Sequence, residues 1–193
     1  MRSQSFRGSG AALATATLAV VAILAGACTS TLGPPTATVD NIVDTVTLYA
    51  LTGTPVGTPS AYNIQAPGPV RTDSEPGYDF SFDMTGSQGA FYPQGALFGL
   101  ARTSALQYAN SFDGTTTAPT GGWNDSTALN VSVGTVVLVR SRVITCSTYA
   151  ATVFEYAKLQ VLAIDTLART INFQILSDVN CGYRDLNTGI PAH

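Results

Sequence analysis

Apolar residues along the chain fall into two kinds of pattern, one unbroken block near the N-terminus and a series of short alternating runs beyond it. The first alternating run holds Ile42, Val43, Val46, Leu48 and Leu51 and is closed by Gly53 and Pro55, which predicts a β-strand. From Tyr78 to Met84 the period is two: Tyr78, Phe80, Phe82 and Met84 alternate with Asp79, Ser81 and Asp83, predicting an aromatic buried face and an acidic wet face. Between residues 90 and 109 two readings compete, because Leu97, Leu100, Ala101, Ala105 and Tyr108 also fit helical spacing; a strand followed by a short helix is expected. Asp113 to Trp123, with Gly114, Pro119, Gly121 and Gly122, reads as a turn-rich loop.

Three strand-like runs follow: Val136 to Thr145, Val153 to Ile164 and Thr170 to Leu176. The short connection Asp165 to Arg169 makes the last two a hairpin, and together the three predict an antiparallel meander. In the middle run Val153, Ala157, Leu159, Val161 and Ala163 share one face while Tyr156, Lys158, Gln160 and Leu162 share the other. Both faces are partly apolar, so this strand must be covered on both sides. The expected fold is all-β: an antiparallel β-sandwich or partly closed barrel, a single domain over residues 39–193 with the meander at its C-terminal end.

The unbroken block changes where this domain is expected to work. Arg2 and Arg7 precede an uncharged stretch from Gly8 to Thr38 whose apolar centre runs from Ala11 to Ala27, the layout of a signal peptide over residues 1–27. Its end, Leu24-Ala25-Gly26-Ala27-Cys28, resembles the lipobox of bacterial lipoproteins, in which the cysteine thiol is acylated; Ala25 occupies the position usually given to leucine. The same small residues also fit an ordinary secretory cleavage site. An uncleaved anchor fits less well, since about 17 apolar residues fall short of the roughly 20 that span a bilayer. Cysteine arithmetic favours the lipobox. Three cysteines in an oxidising compartment leave one unpaired, and acylation of Cys28 leaves Cys146 and Cys181 as a pair. Residues 28–38, with Gly33, Pro34 and Pro35 among threonines, read as a lipidated tether. Thr29 is not the aspartate that retains many enterobacterial lipoproteins in the inner membrane, so by that resemblance a cell-envelope site in the outer membrane is expected.

Composition agrees with export. Charged residues make up 11% of the chain, less than half the roughly 25% of typical soluble domains, and short hydroxyl and amide side chains supply the polarity. Without Arg2 and Arg7 seven bases face twelve acids, a net charge of −5, and Lys158 is the only lysine. No basic cluster is present to neutralise phosphates, so nucleic acid is not an expected partner, and membrane attachment is expected to come from lipid.

Val136-Val137-Leu138-Val139-Arg140 followed by Tyr156-Ala157-Lys158-Leu159-Gln160-Val161, in a chain with a lipobox, resembles the HmuY-like family of bacterial surface lipoproteins over roughly Val131 to Leu176. The resemblance implies an all-β fold and, through the family's founding members, haem capture by paired histidine or methionine side chains. This sequence departs from that ligand set. Its only histidine is His193, and Met84 is the only methionine after processing, so no axial pair carries over and no cofactor is assigned. Tyr92, Tyr108, Tyr149, Tyr156 and Tyr183 remain as tyrosines able to ligate iron.

Catalytic chemistry is not expected, because histidine triads, a Gly-x-Ser-x-Gly elbow, a phosphate loop and Cys/His metal clusters are all missing from the sequence. Asp79 and Asp83 would lie roughly 13 Å apart along a strand, too far for a glycosidase pair, and are read as a solvated face. Arg140 and Arg142 share a strand face with Lys158 across the hairpin, either as an anion site or as charges neutralised by Glu155, Asp165 or a neighbouring strand. Trp123 either stacks a ligand or caps the core. The expected function is a surface-tethered binding module contacting ligand through Trp123, Arg140, Arg142, Tyr156 and Lys158, for haem or another small apolar molecule by resemblance. An envelope-structural or protein-interaction role is the alternative.

The lipobox generates a direct test. Cys28→Ala should release the exported protein from the membrane fraction, leaving it unprocessed or cleaved to a soluble product; retention in the detergent phase at unchanged mass would contradict lipidation at this residue.

Overall fold

A computed structural model describes residues 36–99, 104–146 and 152–192; the signal peptide and Cys28 lie outside them. The β-branched and aromatic runs form two five-stranded antiparallel sheets. The first is ordered β1 (Val43–Tyr49), β12 (Thr170–Asp178), β11 (Tyr156–Asp165), β8 (Val136–Arg140) and β6 (Ala105–Ala109). The second is ordered β3 (Gly68–Val70), β2 (Ala61–Asn63), β4 (Phe80–Thr85), β5 (Gln88–Pro93) and β7 (Leu129–Val131). A two-stranded ribbon pairs β9 (Ile144–Thr145) with β10 (Thr152–Val153), and one short helix, α1 (Gln94–Phe98), follows β5. This is an open sandwich rather than a closed barrel.

Alternate residues of both sheets meet in one core. Phe173 of β12 inserts among aromatics of the opposite sheet, with ring centroids 5.7 Å from Phe91, 6.0 Å from Phe80 and 6.3 Å from Tyr62. Val137, Val139, Leu159, Val161 and Ile175 surround this cluster and are buried. Edge-to-face rings of this kind add about 0.5–1.5 kcal/mol per pair beyond burial.

The expected meander is present: Leu159 pairs with Val137 on one side and Ile175 on the other. Its outer face is covered too, by a second apolar cluster of Phe112, Ala118, Val136, Leu138, Leu176 and Leu186. The cover is made by the turn-rich loop and the C-terminal segment, not by another sheet. Lys158 fastens it, donating from Nζ to the carbonyls of Phe112 (2.8 Å) and Thr115 (3.0 Å).

Four expectations need correction. A register shift between Val161 and Ala163 turns Ala163 to solvent and brings Ile164 against the core, because a bulge moves the following side chains to the other face. Ala105 and Tyr108 belong to strand β6, paired in register with Arg140 and Val137 of β8, so ladder pairing overrides their helical spacing. Asp79 and Ser81 are fully buried; only Asp83 of that trio keeps partial exposure, where it accepts from Thr52. The alternation fails at Asp79 because β4 begins one residue later, leaving Asp79 in the connection where partners from elsewhere in the chain reach it. Arg142, finally, does not join Arg140.

Cys146 follows β9 and Cys181 follows β12, and the two lie at disulfide distance, Cα atoms 6.0 Å apart, beyond the end of the meander. Linking residues 35 apart should contribute roughly 3.5–4 kcal/mol by restricting the unfolded chain. Non-reducing peptide mapping of the exported protein should recover the two cysteines in one linked pair, and reduction should lower thermal stability; free thiols at both positions would refute the bridge.

Candidate functional site

The outer face of the first sheet gathers side chains suited to holding a flat ligand. Arg140, the last residue of β8, pairs in register with Tyr156, so both project to the same side. Trp123 arrives from the covering loop, fixed by a hydrogen bond from its Nε1 to the Pro119 carbonyl at 3.2 Å. Its ring centroid is 5.8 Å from that of Tyr156, and the Arg140 guanidinium lies 5.6 Å from its centre. On its other approach the same guanidinium sits 4.4 Å from the Phe154 ring centre. Trp123, Arg140, Phe154 and Tyr156 are all half-buried.

Among the described residues no carboxylate lies within ion-pair distance of Arg140, and its buried Nε has no hydrogen-bond partner. Arg184 resembles it. Its Nε is likewise buried and unbonded, and its charge reaches Tyr156. Burial raises the Tyr156 hydroxyl above its ordinary pKa, while Arg184 and Arg140 pull against that rise. Arg184 also lines a cavity of about 440 Å³ with Thr117, Tyr183, Asp185 and Asn187, within the roughly 300–1,000 Å³ of small-molecule sites.

Of the residues expected to bind ligand, Trp123, Arg140 and Tyr156 therefore come together. Lys158 lies on the same face but is buried under the loop it fastens, with burial lowering its pKa. Arg142 turns away to the gap between the sheets. Its backbone N–H and its Nε both donate to Asp79 Oδ1, at 2.8 and 3.1 Å, so its neutralising partner is Asp79 and not Glu155, Asp165 or a neighbouring strand. The three cations thus make no common anion site. Phe154 and Arg184 were not expected from the sequence. Phe154 lies within the run expected from Val153 to Ile164 but precedes the observed strand β11, and Arg184 belongs to an aperiodic segment whose place over the sheet depends on long-range contacts.

Beneath the shelf lies a buried acidic corner. Asp79 Oδ2 accepts the Ile64 N–H at 2.6 Å, and Ser104 Oγ donates to the Asp79 carbonyl. Burial raises the Asp79 carboxyl above its ordinary pKa against the opposing charge of Arg142. Glu155 is also buried, with no partner for Oε2, and burial together with the charges of Asp79 and Asp178 pushes its pKa up to about 7, Arg142 opposing. The corner holds one guanidinium for more than one carboxylate. Among the described residues no group of three or more metal-ligating side chains is present.

Tyr108 is committed, donating to the Asn130 carbonyl, Met84 is buried, and Tyr149 and His193 lie outside the described residues. No protein-family model matches the chain, and no curated protein or solved structure matches it. The class of protein is thus defined by the fold alone, an all-β two-sheet sandwich.

A raised carboxyl pKa favours the protonated fold, so its stabilising effect is complete below the unfolded value of 4.5 and is lost as pH rises through about 7. Glu155→Gln should therefore match the parent protein near pH 5 and exceed it by about 2–3 kcal/mol at pH 8. Thermal melts across this range check the sign; a parent protein that gains on the variant with rising pH would show that Glu155 is charged in the fold.

Proposed function

We propose that the chain is a bacterial lipoprotein, exported through its signal peptide and tethered by acylated Cys28 to the outer membrane, whose sandwich binds a small ligand on the Trp123–Arg140–Tyr156 shelf. The observation that carries this reading is Arg140. A half-buried guanidinium held between two aromatic rings, with no carboxylate partner among the described residues, is pre-positioned to receive an acidic group beside a flat surface. Ordering such a side chain in advance reduces the entropy lost on binding. The fitting ligand is a planar, largely apolar molecule carrying a carboxylate or similar anion.

Haem, named by the resemblance to HmuY-like lipoproteins, meets that description through its macrocycle and carboxylates, but paired axial side chains do not support it. Stacking and charge, rather than iron ligation, are the means of retention under this reading. The protein is proposed as a binding module without catalytic activity. A structural or protein-interaction role remains the competing outcome of the test below.

Small molecules extracted from the purified exported protein and identified by mass spectrometry should include a stoichiometric aromatic or macrocyclic acid. Trp123→Ala and Arg140→Ala should each weaken its binding about tenfold. Haem added in equal amount should give no sharp low-spin spectrum of the bis-histidine kind. Recovery of a stoichiometric protein partner with no small ligand would instead support the interaction role.

A further inference from the structure

A second cavity, of about 250 Å³, opens between the two sheets where β1 and β12 begin and end. Ile175 and Val179 form its floor with the Tyr62 ring, which is packed from behind by Phe80 and Phe173. Ile42, 69% exposed, adds a further apolar side chain to the lining. Asp40 and Asp44 also line the cavity. Among the described residues no lysine or arginine forms an ion pair with either. Asp44 turns one oxygen to the neighbouring Thr45 N–H at 2.7 Å. Its charge is felt at the cavity wall: burial first, and then Asp44, hold the Tyr62 hydroxyl above its ordinary pKa, against the opposing effect of Ser177.

An apolar floor beneath two uncompensated carboxylates selects its occupant by charge. Asp40 and Asp44 are both exposed, so they select by attraction rather than by desolvation: an anion would meet like charges, and a neutral molecule would leave them unmatched. A cation with a short hydrocarbon part satisfies both halves of the site. The volume, slightly below the roughly 300–1,000 Å³ of drug-sized sites, admits only a small ligand.

We propose that this opening is a second binding site, taking a small organic ammonium whose hydrocarbon part lies against Ile175, Val179 and Tyr62 and whose charge lies between Asp40 and Asp44. It is independent of the shelf and does not rest on the function proposed for it.

The test uses the full exported protein in lipid nanodiscs, titrated calorimetrically with hexylamine, hexanol and hexanoate, with empty nanodiscs as the blank. Hexylamine should bind saturably at one per chain, hexanoate should not, and hexanol should bind at least tenfold more weakly. Asp40→Asn with Asp44→Asn should weaken hexylamine at least tenfold, and Val179→Trp, which fills the cavity without changing charge, should abolish its binding. Thermal melts establish that each variant is folded. Trp123→Ala and Arg140→Ala should leave hexylamine binding unchanged, which separates this site from the shelf. Absence of saturable hexylamine binding, equal binding of hexanoate, or binding indifferent to the aspartate pair and to Val179→Trp would overturn the proposal.

Discussion

The structure depends on one constraint: β8 and β11 are apolar on both faces, so the first sheet must be covered twice. Val137, Val139, Leu159 and Val161 are buried against the second sheet, while Val136, Leu138 and Leu176 are buried on the other side. Burying an aliphatic side chain of this size contributes about 1.5–3 kcal/mol, so leaving the outer face bare would forfeit much of a small domain's net stability. Beyond the two large sheets the described residues form only the two-stranded ribbon of β9 and β10. The chain covers the face with a loop and a C-terminal segment instead, and irregular backbone brings its polar groups with it. Lys158 answers two of the loop's carbonyls, and Asn124 and Leu106 exchange backbone bonds at its end. The shelf is a by-product of this arrangement. Trp123 reaches Arg140 and Tyr156 because the loop must cross that face.

A second constraint acts at the end of the sandwich, where Asp79 and Arg142 link the sheets from within. Removing either partner alone would leave a buried charge unpaired, at a cost of about 3–5 kcal/mol. The aspartate is satisfied on several sides, by the Arg142 side chain and backbone and by the Ile64 N–H. Such a fully bonded group specifies how the two sheets meet at this end, which packing alone does not, since side chains of similar volume tolerate small slides. Glu155 is buried beside Asp79 and Asp178 with only Arg142 opposing, and its pKa is pushed up to about 7, so it takes up its proton as pH falls through neutrality.

Much of the first sheet was legible in the sequence because its longest strands are long enough to display their own period. Runs such as Val136–Arg140 and Thr170–Asp178 alternate or stay β-branched without interruption. Strands of three residues, β2, β3 and β7, carry no readable period; β2 and β3 form a local hairpin, and β7 exists through ladder bonds to β5, far away in sequence. The cysteine pair was legible through counting and topology, since strands one and three of a meander leave at the same end. Asp79 was misread for a physical reason: an acid on an alternating polar face looks solvated until a guanidinium 63 residues away is seen beside it. The shelf was half legible. Trp123, Arg140 and Tyr156 stand out by residue type, whereas Phe154 and Arg184 acquire meaning only from where the fold puts them.

The acidic corner and the shelf meet in one tripeptide. Glu155 lies between Phe154 and Tyr156, and in extended chain successive side chains point to opposite sides, so the carboxyl turned to the interior sits between two rings of the outer face. Its backbone is clamped to Ser141: the Ser141 N–H donates to the Glu155 carbonyl at 2.8 Å, and Ser141 Oγ accepts the Glu155 N–H at 2.9 Å while donating to the Arg142 carbonyl at 2.6 Å. Ser141 in turn separates Arg140, on the shelf, from Arg142, in the corner. Two short stretches, Arg140–Arg142 and Phe154–Tyr156, therefore each turn one side to the aromatic shelf and the other to the buried carboxylates. Rigid packing is what a preorganised stacking surface needs, and here the Ser141 clamp ties the stretch that carries the Arg142–Asp79 ion pair to the stretch that carries the rings outside it.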